Sequence, residues 1–165
     1  MRRFAAVAIV IGMTAALGAC TKSPQETAKG EGGSTAAPAP VDPETAKILA
    51  SLPAPYNTAD LENGQRKFAL CRSCHTITEG GANMTGPNLH GVFGRKAGTH
   101  EKFRYSQAVL NAGFVWDAEH LDKWLQDPRG FLPGNRMSFL GVKDEKDRID
   151  LIAYLKVESG YKPGG

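Results

Sequence analysis

The sequence predicts an all-α domain of four to five short helices joined by long loops. In the segments expected to be helical, apolar residues recur at spacings of three and four, as in helices that bury one face. Between residues 76 and 102, glycine and proline interrupt the chain repeatedly, and no alternating strand pattern persists. Aliphatic residues are sparse between residues 71 and 108, so the core is thin. A bound prosthetic group would complete such a core, and without it we expect poor folding.

The first helix of the domain is predicted to start at a cap on Thr58 or Asp60 and to end near Leu70. The residues that share its apolar face are Leu61, Gly64 and Phe68. A glycine inside a helix costs about 1 kcal/mol relative to alanine. We therefore expect Gly64 to allow close contact with another helix.

Three further helices are predicted in the second half of the domain. They cover approximately residues 106–111, 117–126 and 144–158. Asp117 is the expected N-cap of the middle one. Residues 131–137 are expected to form an irregular loop because they contain Pro133 and Gly134. The residues expected to line the last helix are Ile149, Ile152, Ala153 and Leu155.

The first twenty residues have the pattern of an export signal. A basic start, Arg2-Arg3, precedes an apolar run over residues 4–19. The run ends in Leu17-Gly18-Ala19-Cys20, which resembles the lipobox of bacterial lipoproteins, so Cys20 is the expected lipidation site. An uncleaved membrane anchor is an alternative, although the run is shorter than the ~20 residues of a membrane span. A simple cleaved signal is the third possibility. All three place the mature protein outside the cytoplasm.

Residues 21–55 are predicted to form a flexible linker between this signal and a domain over residues 56–165. They are rich in alanine, proline, glycine, serine and threonine and contain no aromatic residue. Such a segment cannot bury enough surface to offset the entropy lost on ordering. Within it, residues 42–52 could form a short helix, with Asp42 as N-cap and Pro43 in the first turn.

The charge of the chain is nearly balanced. The formal net charge is +3, which is too small to indicate a nucleic-acid-binding protein. The predicted domain contains fifteen basic and thirteen acidic side chains, so its own net charge is 15 − 13 = +2. Attraction to a partner protein must therefore come from a local patch of charge.

The pentapeptide Cys71-Arg72-Ser73-Cys74-His75 is typical of c-type haem attachment. Two thiols at this spacing can each bond one vinyl group of a single porphyrin, and the adjacent imidazole can bind the iron. Half of a zinc site is an alternative, but a complete site needs more ligands and only Cys20 remains. A thioredoxin-like dithiol would need a preceding strand, and a disulfide would close a very small loop.

His75 provides one axial ligand, and the residue opposite it decides the chemistry of the iron. The candidates for that position are Met84, Met137, His90, His100 and His120. Met137 is favoured because it follows Pro133-Gly134 in a loop far along the chain from His75. A His/Met pair raises the reduction potential and favours electron transfer.

With these motifs the chain resembles the mitochondrial-type class I cytochromes c over residues 61–156. The similarity includes CRSCHTITEGG, TGPNLHGVFGRKAG, FRYSQA, PGNRMSFLG and RIDLIAYLK. The resemblance implies the class I cytochrome c fold, with its helices and loops wrapped around one covalent haem c. With the N-terminal signal, it indicates a bacterial membrane-anchored or lipoprotein form of this family.

The resemblance also implies a role for each site residue. Cys71 and Cys74 would form the thioethers, His75 the proximal ligand and Met137 the distal ligand. The carbonyl of Pro87 would accept the second N–H of the proximal imidazole. The residues at positions that hold a buried propionate are Arg95, Tyr105 and Trp116. At the helix crossing, the family pattern places Gly64 and Phe68 against Leu151 and Tyr154.

The sequence departs from the family pattern near the distal ligand. Trp124 stands where a tyrosine is usual, Val109 replaces an asparagine, and Asn135 replaces a threonine. The family's ring of lysines is also thinned, because Leu70 and Gly130 occupy two of its positions. The basic residues expected on or near this face are Lys96, Arg129, Arg136 and Lys143.

These features predict an exported, monomeric, membrane-anchored one-electron carrier on the periplasmic side. It would shuttle electrons between membrane respiratory or photosynthetic complexes, from a quinol-oxidising complex to a terminal oxidase or reductase. A haem peroxidase or small-gas sensor with a labile sixth ligand is the first alternative. A fixed haem subunit of an oxidase or reductase is the second.

Overall fold

The computed structural model describes residues 42–162 of the chain. The six α-helices of this part are α1 (Pro43–Ser51), α2 (Leu61–Phe68), α3 (Gln107–Leu110), α4 (Ala118–Gln126), α5 (Pro128–Phe131) and α6 (Glu145–Glu158). A 3-10 turn, Tyr56–Thr58, lies between α1 and α2. Within these residues the only β pairing is a single bridge between Lys96 and Val115. The predicted all-α class is therefore confirmed. The predicted signal over residues 1–20, Cys20 and the linker up to residue 41 lie outside the described residues.

Five helices begin at the polar side chains that their sequences place there. The capping residues are Asp42, Asp60, Ser106, Asp117 and Asp144. In each, the side-chain oxygen accepts a hydrogen bond from the backbone N–H three positions later, at 2.8 to 3.4 Å. Each cap satisfies a donor that the first turn of a helix leaves free, which fixes where the helix starts.

The helices α2 and α6 cross in close contact at Gly64. A Cβ atom at this position would lie 2.3 Å from the backbone oxygen of Asp150 and 2.6 Å from the Cβ of Tyr154. One turn later, the rings of Phe68 and Tyr154 pack with their centroids 5.5 Å apart. The expected role of the helix glycine is confirmed, since only a residue without a side chain allows this approach.

The main core lies between α2, α4 and α6. Its buried members are Phe68, Leu121, Trp124, Leu125, Val142, Leu151, Ile152 and Leu155. Of the residues predicted to line α6, Ile152, Ala153 and Leu155 are buried and Ile149 is partly buried, and burial extends to most sides of the helix. Three of its buried residues carry charges: Arg148, Asp150 and Lys156. The sequence did not indicate their burial, because charged residues usually mark an exposed face.

Two of these three buried charges, those of Asp150 and Arg148, form hydrogen bonds inside the protein. Asp150 accepts hydrogen bonds from the backbone N–H of Asp60 at 2.9 Å and from Asn63 Nδ2 at 2.8 Å. Arg148 donates to Asp122 Oδ1 at 2.7 Å and to two backbone carbonyls. Burial of a paired charge is tolerated because these bonds replace those lost from water.

Residues 128–131 form a helix, which corrects the expectation of an irregular loop that includes Phe131. Pro128 occupies the first turn, where its fixed φ suits a helix and its missing N–H costs nothing. The turn closes with a hydrogen bond from Phe131 N to Asp127 O of 2.9 Å. Irregular chain begins only at Leu132, just before Pro133 and Gly134.

The helix predicted within residues 42–52 is present as α1, and it belongs to the packed domain. Leu52 is buried in a small cluster with Leu61 and Ala153. The packed domain therefore starts before residue 56, where the sequence placed its boundary. The burial of Leu52 was not predicted, because the segment has the alanine- and proline-rich composition of a linker. None of the helices over residues 42–162 has the length and apolar character needed to cross a membrane.

Candidate functional site

A cavity of about 660 Å³ opens beside the main core. Its volume is in the range of cavities that hold cofactors. The site residues predicted from the sequence within the described part of the chain all line it: Cys71, Cys74, His75, Pro87, Arg95, Tyr105, Trp116, Trp124, Asn135 and Met137. Residues that are up to 66 positions apart in the chain (137 − 71) thus meet at one site. Cys20 lies outside the described residues.

The pentapeptide over residues 71–75 forms a tight turn directly after α2. Cys71 N donates to Phe68 O at 2.8 Å, and His75 N donates to Cys71 O at 2.9 Å. This geometry places both thiols and the imidazole on the cavity wall. The two cysteines are not joined by a disulfide.

The surroundings of these cysteines favour neither a redox-active dithiol nor a zinc site. Burial, and to a lesser extent Cys74, raises the pKa of the Cys71 thiol to about 11. A reactive dithiol needs an easily formed thiolate, with a lowered pKa. Residues 42–162 also contain no group of three or more His, Cys, Asp or Glu side chains arranged to hold a metal ion. An uncharged thioether, by contrast, suits a buried sulfur.

The imidazole of His75 is fixed in position by two contacts. Its Nδ1 lies 2.7 Å from the carbonyl oxygen of Pro87, an acceptor, so Nδ1 carries the proton and Nε2 is left with a lone pair. Burial lowers the pKa of His75, which favours this neutral form. A Cβ on Gly86 would lie 2.2 Å from Cε1 of the ring, so the glycine leaves room for the imidazole. The residue is thus prepared as a neutral metal ligand.

Two methionines line the cavity, and they differ in how firmly they are held. Met137 is partly buried against the main core, and its N–H donates to Asn135 Oδ1 at 2.8 Å. The amide of Asn135 in turn donates to the carbonyls of Pro128 at 2.7 Å and Leu132 at 2.8 Å. Met84 is 47% exposed and comes from the same side of the chain as His75. The positions therefore favour Met137 as a second ligand.

Arg95 lines the cavity with its guanidinium anchored on the protein. It donates to the backbone oxygens of His90 at 3.2 Å and Asn88 at 3.1 Å. Its Nη1 also lies 2.7 Å from Nδ1 of His100. Burial lowers the pKa of Arg95, and the nearby Tyr105 acts in the opposite direction. A cation held in this way is suited to an anionic group in the cavity, such as a propionate.

Aromatic side chains form another wall of the cavity. The rings of Trp116 and Trp124 are 5.4 Å apart between centroids and meet edge to face. Tyr105 packs in the same manner on Phe103, at 4.8 Å. Val109 is buried beside them. Apart from the hydroxyl of Tyr105 and the N–H groups of the two indoles, this wall is apolar and is suited to contact with a flat apolar group.

Cations line the cavity, and exposed apolar side chains lie close to its lining residues in the chain. Lys102, Arg104 and Arg136 line the cavity. Arg136 Nη2 donates to the backbone oxygen of Arg104, which links two segments of the opening. Leu70, which directly precedes the cavity-lining Cys71, is 60% exposed, and Leu140, two positions after the cavity-lining Ser138, is 78% exposed.

Some residues of the site were not predicted from the sequence. Gly86 leaves room for the imidazole of His75. Its position directly before Pro87 was the only feature of the sequence that could have indicated this role. Lys102 and Arg104 also line the cavity, and they were not among the basic residues that the sequence indicated for this face. His100 was considered only as an iron ligand, but it contacts Arg95. No local pattern identifies such a pairing.

Comparison with known proteins gives consistent matches to this part of the chain. The family model described as cytochrome c matches residues 61–157. The cytochrome c2 of Blastochloris viridis is 44% identical over 109 residues, which cover 66% of this chain and 86% of that protein. The cytochrome c2 of Rhodoplanes tepidamans is 43% identical over 106 residues, which cover 64% and 96%.

A solved structure agrees with these sequence matches. Cytochrome cH from Methylobacterium extorquens is 40% identical to this chain, with a TM-score of 0.56. The alignment covers 59% of this chain and 98% of that structure. The residues matched by the family model begin with α2 and end within α6, so α1 and the 3-10 turn lie outside them.

Proposed function

The chain belongs to the cytochrome c family and is a haem-based electron carrier with one covalent haem c, and we propose that Cys71, Cys74, His75 and Met137 hold this haem. When bound, the haem iron supplies a single site that gains and loses one electron. The protein contributes the two thioether bonds, the two axial ligands and a rigid cavity. The observation that carries this proposal is that all of these side chains line one cavity.

His75 acts as the proximal ligand through its free Nε2. The bond to the Pro87 carbonyl holds the ring and keeps the proton on Nδ1, which raises the basicity of the coordinating nitrogen. Because Gly86 has no side chain, the ring can lie against the backbone at this position. A fixed ligand keeps the geometry similar in both oxidation states, which favours fast electron transfer.

Met137 would be the second protein ligand of the iron. Its loop is held by Asn135, whose side chain bonds to two carbonyls and to the methionine N–H. Among the residues that line the cavity, His75 is the only histidine. The lining residues therefore include no second histidine of the kind with which peroxidases move a proton on the distal side of the haem. The arrangement favours a carrier over a peroxidase or a small-gas sensor.

A pair of methionine variants tests the ligand assignment. Met137→Ala should lose the far-red sulfur-to-iron absorption band of the ferric protein and become high-spin. Met84→Ala is the matched control, because it removes the other cavity methionine, and it should keep both the band and the low-spin spectrum. The opposite pattern would assign the iron to Met84 and refute the proposal.

The opening of the cavity is the proposed docking face for redox partners. Arg136, which lines the cavity, and Arg129, which the family resemblance places on or near this face, are both exposed and would attract carboxylates of a partner. Leu70 and Leu140 would offer apolar contact. Electron carriers form small, short-lived interfaces, so a few such contacts are sufficient. The partner class is a quinol-oxidising complex on one side and a terminal oxidase or reductase on the other.

Charge reversal tests this docking face. The double variant Arg129→Glu/Arg136→Glu should slow electron exchange with a partner at low salt and flatten its salt dependence. The control is Lys47→Glu/Lys162→Glu, which changes the net charge equally at exposed positions outside the cavity. Equal rates for the two double variants would remove the docking proposal.

We also propose that the protein is exported, with a lipid anchor on Cys20 that leaves the domain on the periplasmic side of a membrane. The support is the basic start, the apolar run and the lipobox-like end of the first twenty residues. Intact mass of membrane-extracted protein should show cleavage before Cys20 and an added lipid. An unmodified, uncleaved N-terminus would favour a membrane anchor instead. Co-purification with an oxidase or reductase through detergent and salt would indicate a fixed subunit.

A further inference from the structure

His100 contacts the cation that faces the haem cavity. Nη1 of Arg95 lies 2.7 Å from Nδ1 of His100, which is a short distance for two nitrogen atoms. An arginine N–H can only donate, so Nδ1 of His100 must be the acceptor. The proton of the neutral ring is then on Nε2. The observed contact therefore requires His100 to be uncharged.

Protonation of His100 would change this contact from attraction to repulsion. Nδ1 would then be a donor that faces another donor, and two cations would be in direct contact. Arg95 would lose one of three partners, while the carbonyls of Asn88 and His90 would still hold it in place. The result is one additional positive charge beside the cavity, with the guanidinium retained there.

We propose that His100 is a positioning residue that couples the reduction potential of the haem to pH through its contact with Arg95. The proposal rests on the haem assignment made above. Added positive charge beside the cavity stabilises the reduced form, because reduction lowers the charge of the iron site by one. The linkage is reciprocal, so reduction must raise the affinity of His100 for a proton by the same factor.

The groups around His100 set the direction of its titration. Burial, followed by the positive charge of Arg95, lowers the pKa of His100, and Glu101 opposes this shift. The neighbouring Tyr105 is uncharged near neutral pH, since burial raises its pKa. The ferric protein should therefore bind the proton below the ordinary histidine range, and the ferrous protein should bind it more tightly.

The size of the coupling follows from its electrostatic origin. For a partly exposed group beside the cavity, we expect proton binding to tighten on the order of threefold upon reduction. At 59 mV for each factor of ten in a one-electron couple, this corresponds to a rise of ~30 mV between the neutral and the protonated protein.

The experiment is a spectroelectrochemical titration of the holoprotein between about pH 5 and 8, where histidine changes charge. His100→Asn keeps an acceptor for Arg95 but cannot titrate in this range. His120→Asn is the matched control, because His120 is bound to Asp117 outside the cavity. NMR titration of the His100 ring in both oxidation states gives a second readout that does not depend on the potential.

The wild type and His120→Asn should show a potential that falls as pH rises, and His100→Asn should be flat. The NMR pKa of His100 should be higher in the ferrous protein. A flat wild-type profile, or an unchanged profile in His100→Asn, would overturn the proposal. The optical spectrum separates this failure from that of the haem assignment. A low-spin spectrum with the sulfur-to-iron band would show that the ligands are correct and only the His100 coupling is wrong.

Discussion

Replacement of Gly64 by alanine should destabilise the folded protein, although alanine is the better helix former. The added Cβ would lie 2.3 Å from the backbone oxygen of Asp150 and 2.6 Å from the Cβ of Tyr154. Neither atom belongs to the flexible end of a side chain, so the two helices must separate. This movement would also disturb the packing of Phe68 on Tyr154.

The magnitude can be worked out from two opposing effects. The better helix propensity of alanine contributes about 1 kcal/mol in favour of the variant. Overpacking of a tight contact costs about 1–3 kcal/mol, and a backbone obstacle places this site at the upper end. The net loss in the free energy of unfolding should therefore be about 2 kcal/mol.

Guanidinium unfolding of the holoprotein, followed by far-UV circular dichroism, measures this difference. Glu62→Ala on the same helix is the control, because its ion pair with Arg66 is exposed and such pairs contribute at most about 1 kcal/mol. If Gly64→Ala were as stable as the wild type or more stable, the close crossing of α2 and α6 would not be the reason for the glycine.

Three other substitutions test the room beside the proximal imidazole, a buried ion pair and a buried lysine. Gly86→Ala should push the imidazole of His75 aside and reduce the fraction of low-spin protein, and a normal spectrum would contradict the role of the glycine. Arg148→Met should cost about 3 kcal/mol in the free energy of unfolding because a buried ion pair is broken, whereas Arg66→Met should cost less than about 1 kcal/mol. Burial lowers the pKa of Lys156 in the folded state, so the unfolded chain holds more protons at alkaline pH. Wild-type stability relative to Lys156→Met should therefore rise with pH towards the ordinary lysine pKa, and a constant difference would contradict this assignment.

Features with local signals were predictable from the sequence. The caps at Asp60, Asp117 and Asp42 act within three residues of themselves, so short stretches of sequence reveal them. The pentapeptide over residues 71–75 is equally local. Gly64 was informative because a glycine on an apolar helix face has few explanations other than a close neighbour.

Features that depend on distant partners were not predictable. Arg148 and Asp150 look like surface residues until Asp122 and the start of α2 come into contact with them. Lys156 lies over the rings of Tyr161 and Phe93, at 3.9 and 4.6 Å, although nothing near it in the sequence indicates burial.

The structure differs from the prediction at two other places, where the prediction relied on the composition of a segment and not on its single apolar residues. Leu52 is buried at the end of a segment whose alanine and proline content is typical of a linker. Phe131 was assigned to a loop because of Pro133 and Gly134, which act only after it. In both cases one apolar side chain packs on the domain, although the neighbouring residues in the sequence do not predict this contact.

We propose that the haem iron is bound on both sides, by His75 and Met137, and is closed to other ligands. The most direct test is the optical spectrum of the purified holoprotein, ferric and ferrous, with and without carbon monoxide. If both residues bind the iron, we expect a low-spin ferric spectrum with the far-red sulfur-to-iron band and no change of the ferrous spectrum with carbon monoxide. A high-spin ferric spectrum, or ready binding of carbon monoxide, would show that Met137 does not hold the iron.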